Sequence, residues 1–349
     1  MASPILSICI NTRNRAALLA ETLDSIIDQI VPSVEIVVVD GASEDGTPEM
    51  MRQYALKYPF VTYMRSEAGL GIDDGYDAAV GIATGEYCWL MTDDDLIMPG
   101  ALKLILSRIK PEHDLIIVNM DCFTKDLSIN LNQRFFKLYA DKTYGPNEFE
   151  TFLCELGYGL AYIGCVVIKR NIWFENARTP FFGSFFVHVG VILGSSLIKN
   201  VLFLHEALIK YRSANSSWTA RSFEIWYFKW PSLVWSFNRF SAITKSKMAV
   251  QQPWRRALTL LKSRAMGEYD TLVLNKFLRN ETSKWVRLYA FVISRIPVTL
   301  LNLTLILFCL LFRRDGLYTL YCLMVSSPQQ ALSNKLISFF GLKFPLEHV

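Results

Sequence analysis

ATGEYCWLMTDDD, at residues 83–95, has the pattern of a strand that runs directly into an acidic cluster. The apolar run Tyr87–Met91 is typical of a strand that is buried on both faces. The aspartates Asp93, Asp94 and Asp95 follow it, and they repel one another unless a counter-charge is present. A divalent cation supplies such a charge, since Mg²⁺ and Mn²⁺ prefer carboxylate and phosphate oxygens. A solvated acidic turn or a helix N-cap is the alternative interpretation.

Strands and amphipathic helices alternate around this stretch. Apolar runs predict strands at Ile5–Ile10, Val34–Val39, Phe60–Met64, Tyr87–Met91 and Leu115–Asn119, with strand-like patches at Ala161–Lys169 and Val201–Tyr211. Helical spacing of apolar residues predicts helices at Arg15–Gln29, Pro48–Tyr58 and Ala78–Ala83. This alternation predicts an α/β fold with a parallel sheet that is covered by helices on both faces. Ligands of such folds bind at the carboxyl ends of the strands.

The composition excludes some classes of protein and favours others. The chain has 349 residues and a net charge of only +4, without a long basic block in its first half, so nucleic acid is not an expected partner. The seven cysteines include no CxxC pair, which is typical of a reducing compartment. The N-terminus has no signal-peptide pattern, so we expect the N-terminal domain to stay in the cytoplasm.

The end of the chain is unusually apolar. Ile296–Phe312 contains seventeen residues without a charge, between Arg295 and Arg313, and the second apolar patch Leu317–Val325 follows. A spanning helix needs about 20 apolar residues, with a lower limit near 17. In-plane or re-entrant insertion, one true span, and a core or oligomer helix are the three interpretations that remain open.

The sequence predicts three regions. Residues 1–120 alternate between strands and helices, residues 121–215 are mixed, and residues 216–349 are expected to form a helical C-terminal region. Within that last region, residues 296–325 are the predicted membrane-associating segment. A homo-oligomer is also compatible with the apolar C-terminus.

Polar residues also follow the other predicted strands. Asp40 ends the second strand and could accept hydrogen bonds from a nucleobase or ribose, although an Asx-turn is common in such loops. Thr12 and Arg13 follow the first strand and could contact a nucleobase or phosphate. Arg65 follows the third strand and could pair with an acid or a phosphate; surface solvation is the alternative for an isolated arginine.

Four segments together carry a family resemblance. They are SICINTRNR at 7–15, VVVDGASEDGT at 37–47, GIDDGYD at 71–77 and ATGEY at 83–87, and Asp93–Asp95 follows at the position of a D-x-D motif. In these segments the chain resembles the family 2 glycosyltransferases, and its nearest likeness is to the bacterial O-antigen and polysaccharide group that includes abequosyltransferase-like enzymes. The resemblance implies a GT-A fold, a Rossmann-like mixed sheet with helices on both faces.

The resemblance also implies that residues 1–120 form the nucleotide-sugar-binding half of a GT-A domain and residues 121–215 its acceptor-binding half, and it implies roles for individual residues. Nucleotide contacts fall at Thr12, Asp40 and Arg65, with Arg13 beside them. Asp93 and Asp95 are implied to contact the diphosphate and to bind Mn²⁺ or Mg²⁺. Contacts with the donor sugar are implied near Asp74 and Asp77.

The chain departs from the family pattern where an acidic pair often supplies the catalytic base. The corresponding segment at 183–190 reads GSFFVHVG and contains no acid. His188 occupies roughly that place and could act as the base, since its ordinary pKa is near 6.5; it could equally be a metal ligand or a packed histidine. Asp94 is the second candidate catalytic residue. Farther on, His205 is a candidate metal ligand and Arg212 a candidate phosphate ligand.

The expected activity is the transfer of one sugar from a nucleotide diphosphate sugar to a polyprenyl-diphosphate-linked saccharide. The Q-x-x-R-W pattern of processive synthases is missing, so we expect one transfer per encounter. The apolar C-terminus favours a position on the cytoplasmic face of the bacterial inner membrane, either peripheral or with a single span. A non-catalytic membrane scaffold and a nucleotidyltransferase are the alternatives, although the loop after the first strand lacks the glycines that a nucleotidyltransferase is expected to show.

Overall fold

The protein is described here from a computed structural model that covers residues 4–216, 218–312 and 316–345. These residues contain ten strands in one sheet. The strands are β1 (Leu6–Thr12), β2 (Val34–Asp40), β3 (Val61–Arg65), β4 (Tyr87–Met91), β5 (Leu96–Ile97), β6 (Leu115–Phe123), β7 (Asn130–Asn132), β8 (Lys142–Tyr144), β9 (Val166–Lys169) and β10 (Val201–Arg212).

The helices follow in chain order. They are α1 (Ala16–Ile27), α2 (Thr47–Lys57), α3 (Ile72–Ile82), α4 (Ala101–Arg108), α5 (Phe149–Leu156), α6 (Arg170–Trp173), α7 (Val187–Gly194), α8 (Ser222–Glu224), α9 (Trp230–Ser236), α10 (Ala242–Met248), α11 (Ala257–Ala265), α12 (Thr271–Val273), α13 (Lys284–Arg295), α14 (Val298–Phe312), α15 (Leu317–Val325) and α16 (Gln330–Phe339). The strand-like patch predicted at Ala161–Lys169 begins instead with short 3₁₀ turns, and only β9 within it is extended.

The sheet is mixed, with the order β3-β2-β1-β4-β9-β6-β10-β5. Strands β1 to β4 are parallel, whereas β9 pairs antiparallel with both β4 and β6. The wholly parallel sheet suggested by the strand and helix alternation is therefore confined to the first half, and the mixed GT-A sheet is confirmed. Successive residues of β1, β2 and β4 point to opposite faces, and nearly all of them are buried, so both faces of this half are covered.

The chain divides into two compact units that interleave along the sequence. The first contains residues 1–121, 134–211 and 233–249, and the second contains residues 122–133, 212–232 and 250–349. The predicted boundaries at 120 and 215 lie close to segment ends at 121 and 211, and the division into three functional regions stays a prediction. Residues 122–133 join the second unit because Leu131 lies in its core and the Lys125 N–H donates to Tyr321. Helix α10 joins the first unit through hydrogen bonds from Thr244 to Glu150 and from Cys154 to Thr244.

The second unit buries part of the segment that was predicted to contact a membrane. Helix α15 contributes Leu320, Tyr321, Leu323 and Met324 to the core of this unit. Four apolar residues of α15 therefore pack inside the protein, while Tyr318 is 38% exposed, and membrane association of 317–325 stays a prediction. The flanking Arg313 and Arg314 lie outside the described residues. Across the described residues no single helix is long and apolar enough to cross a bilayer; α13 and α14 meet that test only as a pair, bent by 96°.

Candidate active site

The loops after β1 and β2 are joined by a set of hydrogen bonds at the carboxyl edge of the sheet. The Gly41 N–H donates to the Thr12 carbonyl oxygen at 2.9 Å, and the Asn14 N–H donates to Ser43 Oγ at 2.8 Å. Asn14 Oδ1 in turn accepts from the Glu44 N–H at 2.7 Å. Asn14 and Ala42 adopt the left-handed backbone region, with φ of 55° and 61°. Such strain in non-glycine residues persists only where the surroundings hold it, so the two loops form one rigid shelf.

The first loop also binds two of the three aspartates that follow β4. Thr12 Oγ1 donates to Asp93 at 2.8 Å, and Arg15 Nη1 forms an ion pair with Asp94 at 2.9 Å. Both contacts arise because β1 and β4 are adjacent and parallel, so their carboxyl ends lie side by side. Arg15 was not assigned a role from the sequence. The structure places its guanidinium within the acidic cluster, where it supplies part of the counter-charge.

Asp95 is held from two directions. It is 1% exposed, and its Oδ2 accepts from Thr92 Oγ1 at 2.5 Å and from the Tyr162 hydroxyl at 2.6 Å. Burial and the Asp95 charge raise the pKa of Tyr162, so its hydroxyl keeps its proton and remains a donor. Thr22 of α1 donates to the Asp95 carbonyl oxygen at 2.9 Å. The orientation of this carboxylate is therefore fixed before any ligand binds.

Asp93 and Asp95 are chemically suited to a divalent cation. Burial and the neighbouring Asp94 charge raise the pKa of Asp93, against the opposing effects of Arg15 and Thr12, and a divalent cation would favour the ionised carboxylate again. Within residues 4–216, 218–312 and 316–345, no group of three or more His, Cys, Asp or Glu side chains is arranged to hold a metal ion. Mg²⁺ commonly binds through one or two carboxylates plus water and substrate phosphates, and two aspartates fit that mode.

Replacing Tyr162 with phenylalanine should weaken metal binding without removing a metal ligand. The carboxylate of Asp95 would lose the donor that orients it, and loss of such a supporting contact typically costs about 10–100-fold in metal affinity. We expect the Mn²⁺ concentration that gives half-maximal nucleotide binding to rise by about 10-fold or more. Tyr54→Phe is the matched control, because it removes a 2.7 Å hydrogen bond to Asp24 elsewhere in the first unit. An unchanged Mn²⁺ requirement in the Tyr162 variant would count against this positioning role.

Asp40 is completely buried, with an exposed fraction of 0%. Its Oδ1 accepts from the Ser43 N–H at 2.8 Å, which is an Asx-turn, and its Oδ2 accepts from the Tyr63 hydroxyl at 2.8 Å. Arg65 lies 3.7 Å from the same oxygen and donates to the Ser43 carbonyl oxygen at 2.9 Å. Both Asp40 oxygens therefore accept from protein donors, and the Asx-turn describes this carboxylate better than contact with a nucleobase. Asp40 and Arg65 stabilise the loop, and Arg65, half-exposed, can still reach a ligand. Arg13 is exposed near the same edge.

Helix α3, which carries Asp74 and Asp77, packs against the end of β1. A Cβ placed on Gly75 would lie 1.9 Å from Asn11 Oδ1, so this helix packs directly against the end of β1. Asp74 lies in the first turn, partly exposed, where the helix dipole favours a carboxylate. Asp77 instead accepts from Trp173 Nε1 at 2.7 Å and pairs with Arg178. The donor-binding role of Asp74 stays a prediction, whereas Asp77 has a structural role in this arrangement.

Asp73, which received no role from the sequence, holds the segment that lacks the expected acidic pair. Its two carboxylate oxygens accept from the Phe185 and Val187 N–H groups, both at 2.9 Å. Burial raises the pKa of this carboxyl. An aspartate from α3 thus positions the start of α7.

His188 lies in the core of the first unit and is 1% exposed. Its Nε2 is 2.7 Å from the Leu160 carbonyl oxygen, so this nitrogen carries the proton, and the basic nitrogen is Nδ1. Nδ1 is buried without a hydrogen-bond partner among the described residues. Burial lowers the pKa of His188 to about 4. An acceptor hydroxyl cannot reach a nitrogen so enclosed, so the packed-histidine interpretation replaces the catalytic base.

His205 and Arg212 have partners outside the acidic run Asp93–Asp95. His205 Nδ1 is 2.7 Å from Asp141, which also faces Arg108 at 3.6 Å. The metal-ligand assignment of His205 stays a prediction, because a carboxylate on one ring nitrogen leaves the other nitrogen able to bind a metal. Arg212 is 6% exposed and donates to the Lys125 carbonyl oxygen at 2.7 Å within the second unit, which gives it a structural role instead of the predicted phosphate contact.

The chain is similar to known glycosyltransferases. Residues 7–173 match the family described as glycosyl transferase family 2. Over 200 residues the chain is 28% identical to an abequosyltransferase of Salmonella typhimurium, which covers 54% of this chain and 60% of the relative. A cholesterol galactosyltransferase of Borreliella burgdorferi is 29% identical over 119 residues, a third of each chain. The chain thus covers less than two thirds of the length of these relatives.

Solved structures share the fold at low sequence identity. The S. aureus protein TarS in complex with UDP is 15% identical, with a TM-score of 0.54 over 99% of this chain and 94% of that one. A mannosyltransferase from Pyrobaculum calidifontis in complex with GDP-Man and Mn²⁺ is 16% identical, with a TM-score of 0.51 over 94% and 87%. Together with the mixed sheet, these likenesses assign the GT-A fold to the chain, and residues 7–173 of it match the model of glycosyl transferase family 2.

Proposed function

We propose that the protein transfers a single sugar from a nucleotide diphosphate sugar to a lipid-linked saccharide. The observation that carries this proposal is the junction of the β1 loop with the acidic run, through Thr12 to Asp93 and Arg15 to Asp94. The relatives and neighbours support it, since they include named glycosyltransferases and structures in complex with UDP or GDP-Man.

Each residue of the site has a defined task in this proposal. Thr12 and the rigid shelf bind the nucleotide, with Arg13 and Arg65 at its rim. Asp93 and Asp95 would hold Mn²⁺ or Mg²⁺, and the chemistry that this ion supplies is charge stabilisation on the departing diphosphate. Asp74 binds the donor sugar. Asp94, kept in place by Arg15 and 15% exposed, is the catalytic candidate that remains at the site once His188 is placed in the core.

The acceptor and the location are finer parts of the same proposal. Similarity to an abequosyltransferase supports a role in O-antigen or related polysaccharide assembly, with a polyprenyl-diphosphate-linked acceptor. Such an acceptor lies at a membrane surface, so we place the protein on the cytoplasmic face of the bacterial inner membrane. The seven cysteines, all of them free, are compatible with a reducing compartment.

A thermal-shift screen over UDP, CDP, dTDP and GDP tests the proposal. With about 100-fold excess of nucleotide over its Kd, binding contributes about 2.7 kcal/mol, which raises the Tm by roughly 5–10 °C for a domain of this size. We expect one nucleotide to give this shift with Mn²⁺ and to lose it when EDTA removes the metal. Hydrolysis of the matching sugar nucleotide should show the same dependence. If no nucleotide binds and no donor is hydrolysed, the non-catalytic scaffold becomes the better interpretation.

A further inference from the structure

Helix α13 turns large apolar side chains away from the protein. Its inner side contributes Ala290 and Ile293 to a core of the second unit. The exposed fractions on the outer side are 78% for Trp285, 54% for Leu288, 47% for Phe291 and 52% for Val292. Leaving four such side chains in water on a single helix is costly, because each forfeits its apolar burial, and contiguous exposed apolar surface typically marks an interaction site.

Helix α14 follows α13 in the chain and also has exposed apolar side chains. Its buried residues are Asn302, Ile306 and Cys309. Its exposed residues are Leu300 (62%), Leu307 (40%), Phe308 (48%), Leu311 (52%) and Phe312 (72%). The outer sides of α13 and α14 are named the docking face below.

The charge on the docking face has one sign. Residues 282–312 contain no Asp or Glu. The basic residues Lys284, Arg287 and Arg295 are all exposed on α13, and the Arg295 guanidinium lies 3.4 Å from the centre of the Phe291 ring. Basic residues beside Trp, Phe and Leu on one helix are typical of segments that lie in the interface of an anionic bilayer.

The other side of α14 is fixed within the second unit by polar contacts. The Asn302 side-chain amide donates to the Ala265 carbonyl oxygen at 3.0 Å and to the Leu323 carbonyl oxygen at 2.8 Å, and Asn302 Oδ1 accepts from Ser333. Moving α14 out to cross a bilayer would break these buried contacts. Helix α14 has 15 residues, and at 1.5 Å per residue it is shorter than the roughly 30 Å of the hydrocarbon core.

We propose that the docking face binds an anionic lipid bilayer in the plane of the membrane, with α13 and α14 partly inserted and the basic residues of α13 at the headgroups. This assignment replaces the segment 296–325, since it begins earlier, at Lys284, and excludes α15. It rests on the proposed function only for the reason why the protein should be at a membrane. Vesicle binding requires no sugar transfer, so failure of either proposal can be recognised separately.

The test is co-sedimentation of the full chain with vesicles. We expect strong binding to vesicles that contain phosphatidylglycerol, weak binding to pure phosphatidylcholine, and weaker binding as salt is raised. The double variant Trp285→Ser/Leu288→Ser should bind at least about 10-fold more weakly, because the two most exposed apolar side chains of α13 are gone. The matched control Leu56→Ser/Ile243→Ser changes two comparably exposed residues of the first unit, 87% and 72% exposed, and should bind normally.

A second pair of substitutions separates charge from apolar burial. Arg287→Gln/Arg295→Gln should lose about 10-fold or more of its affinity for anionic vesicles and leave the weak binding to neutral vesicles unchanged. All three double variants change exposed positions, and their thermal unfolding can confirm that they fold. Equal binding of the wild type and the Trp285/Leu288 variant would overturn the proposal. So would a concentration-dependent dimer that this variant abolishes in the absence of vesicle binding, or retention of the wild type in membranes after alkaline carbonate extraction, which indicates a true span.

Discussion

Asp95→Asn should abolish metal-dependent nucleotide binding and reduce sugar transfer by about 10³-fold or more, since groups that stabilise charge on the departing diphosphate typically contribute at least that much. Asparagine has the size of aspartate and keeps one side-chain oxygen, so Thr92 and Tyr162 retain an acceptor for their hydrogen bonds. The change removes the negative charge that a divalent cation requires, with little change in shape. Calorimetric titration of the nucleotide with and without Mn²⁺ measures the effect directly.

The comparison with Asp95→Ala makes the interpretation sharper. Alanine removes both the charge and the acceptor, and it takes from the part-buried hydroxyls of Thr92 and Tyr162 the carboxylate that both donate to, at a cost of about 1–3 kcal/mol in stability. Asp95→Asn should therefore unfold near the wild-type temperature, whereas Asp95→Ala should unfold at a lower one, and both should lose metal-dependent binding. If the asparagine variant binds nucleotide with an unchanged Mn²⁺ requirement, Asp95 is not a metal ligand.

The bounds of several strands could be predicted from the sequence to within one residue. Strand β4 begins and ends at the predicted residues Tyr87–Met91, and β2 and β10 differ from prediction by one residue at an end. These strands carry continuous apolar runs, and such runs reflect burial on both faces. The direction of β9 was not predictable in the same way. A strand that enters antiparallel beside β4 has the same apolar pattern as a parallel one, because pairing direction depends on the path of the chain between the strands.

Residues of the site were predictable where they follow a strand and were missed where they come from afar. Asp93 and Asp95 stand directly after β4, so the topology alone places them at the sheet edge. Tyr162 reaches Asp95 from 67 positions away, out of a short 3₁₀ segment without a regular pattern. Arg15 was quoted within a motif, but its ion pair with Asp94 requires the register of β1 and β4. Contacts between distant segments depend on tertiary packing, for which a single sequence carries no signal.

Burial corrected the interpretations that rested on residue type alone. Asp40 and His188 both have side chains that could contact a ligand, yet the first is 0% exposed and the second 1%. In each case the structural alternative was open from the start. Both Asp40 oxygens accept from protein donors, and the remaining ring nitrogen of His188 is buried without a partner among the described residues. Burial also separates the helices near the C-terminus. Helix α15 packs in a core, while α13, which has a mixed sequence, presents exposed apolar side chains.

Gly85 leads into β4 and therefore determines how the aspartates are presented. A Cβ at this position would lie 2.6 Å from Ser7 Oγ, 2.9 Å from the Ser7 backbone nitrogen and 3.0 Å from the Leu6 carbonyl carbon. Two of these neighbours are backbone atoms of β1, which cannot turn aside as a side chain can. The Gly85 N–H also donates to Ser7 Oγ at 2.9 Å, so any shift strains that contact. Gly85→Ala should lower the free energy of unfolding by about 3 kcal/mol, as overpacking of a close contact does.

Gly81→Ala provides the matched control, four residues earlier in the same segment. No atom lies within 4 Å of a Cβ placed there, and the residue is inside α3, where alanine is favoured over glycine by roughly 0.5–1 kcal/mol. The same chemical change should therefore have opposite signs at the two positions, with a lower Tm for Gly85→Ala and an equal or higher one for Gly81→Ala. Thermal unfolding followed by circular dichroism measures both. A Gly85→Ala variant as stable as the wild type would show that β1 and the residues before β4 are packed less closely than in the structure. It would then also count against the close contact of Thr12 with Asp93.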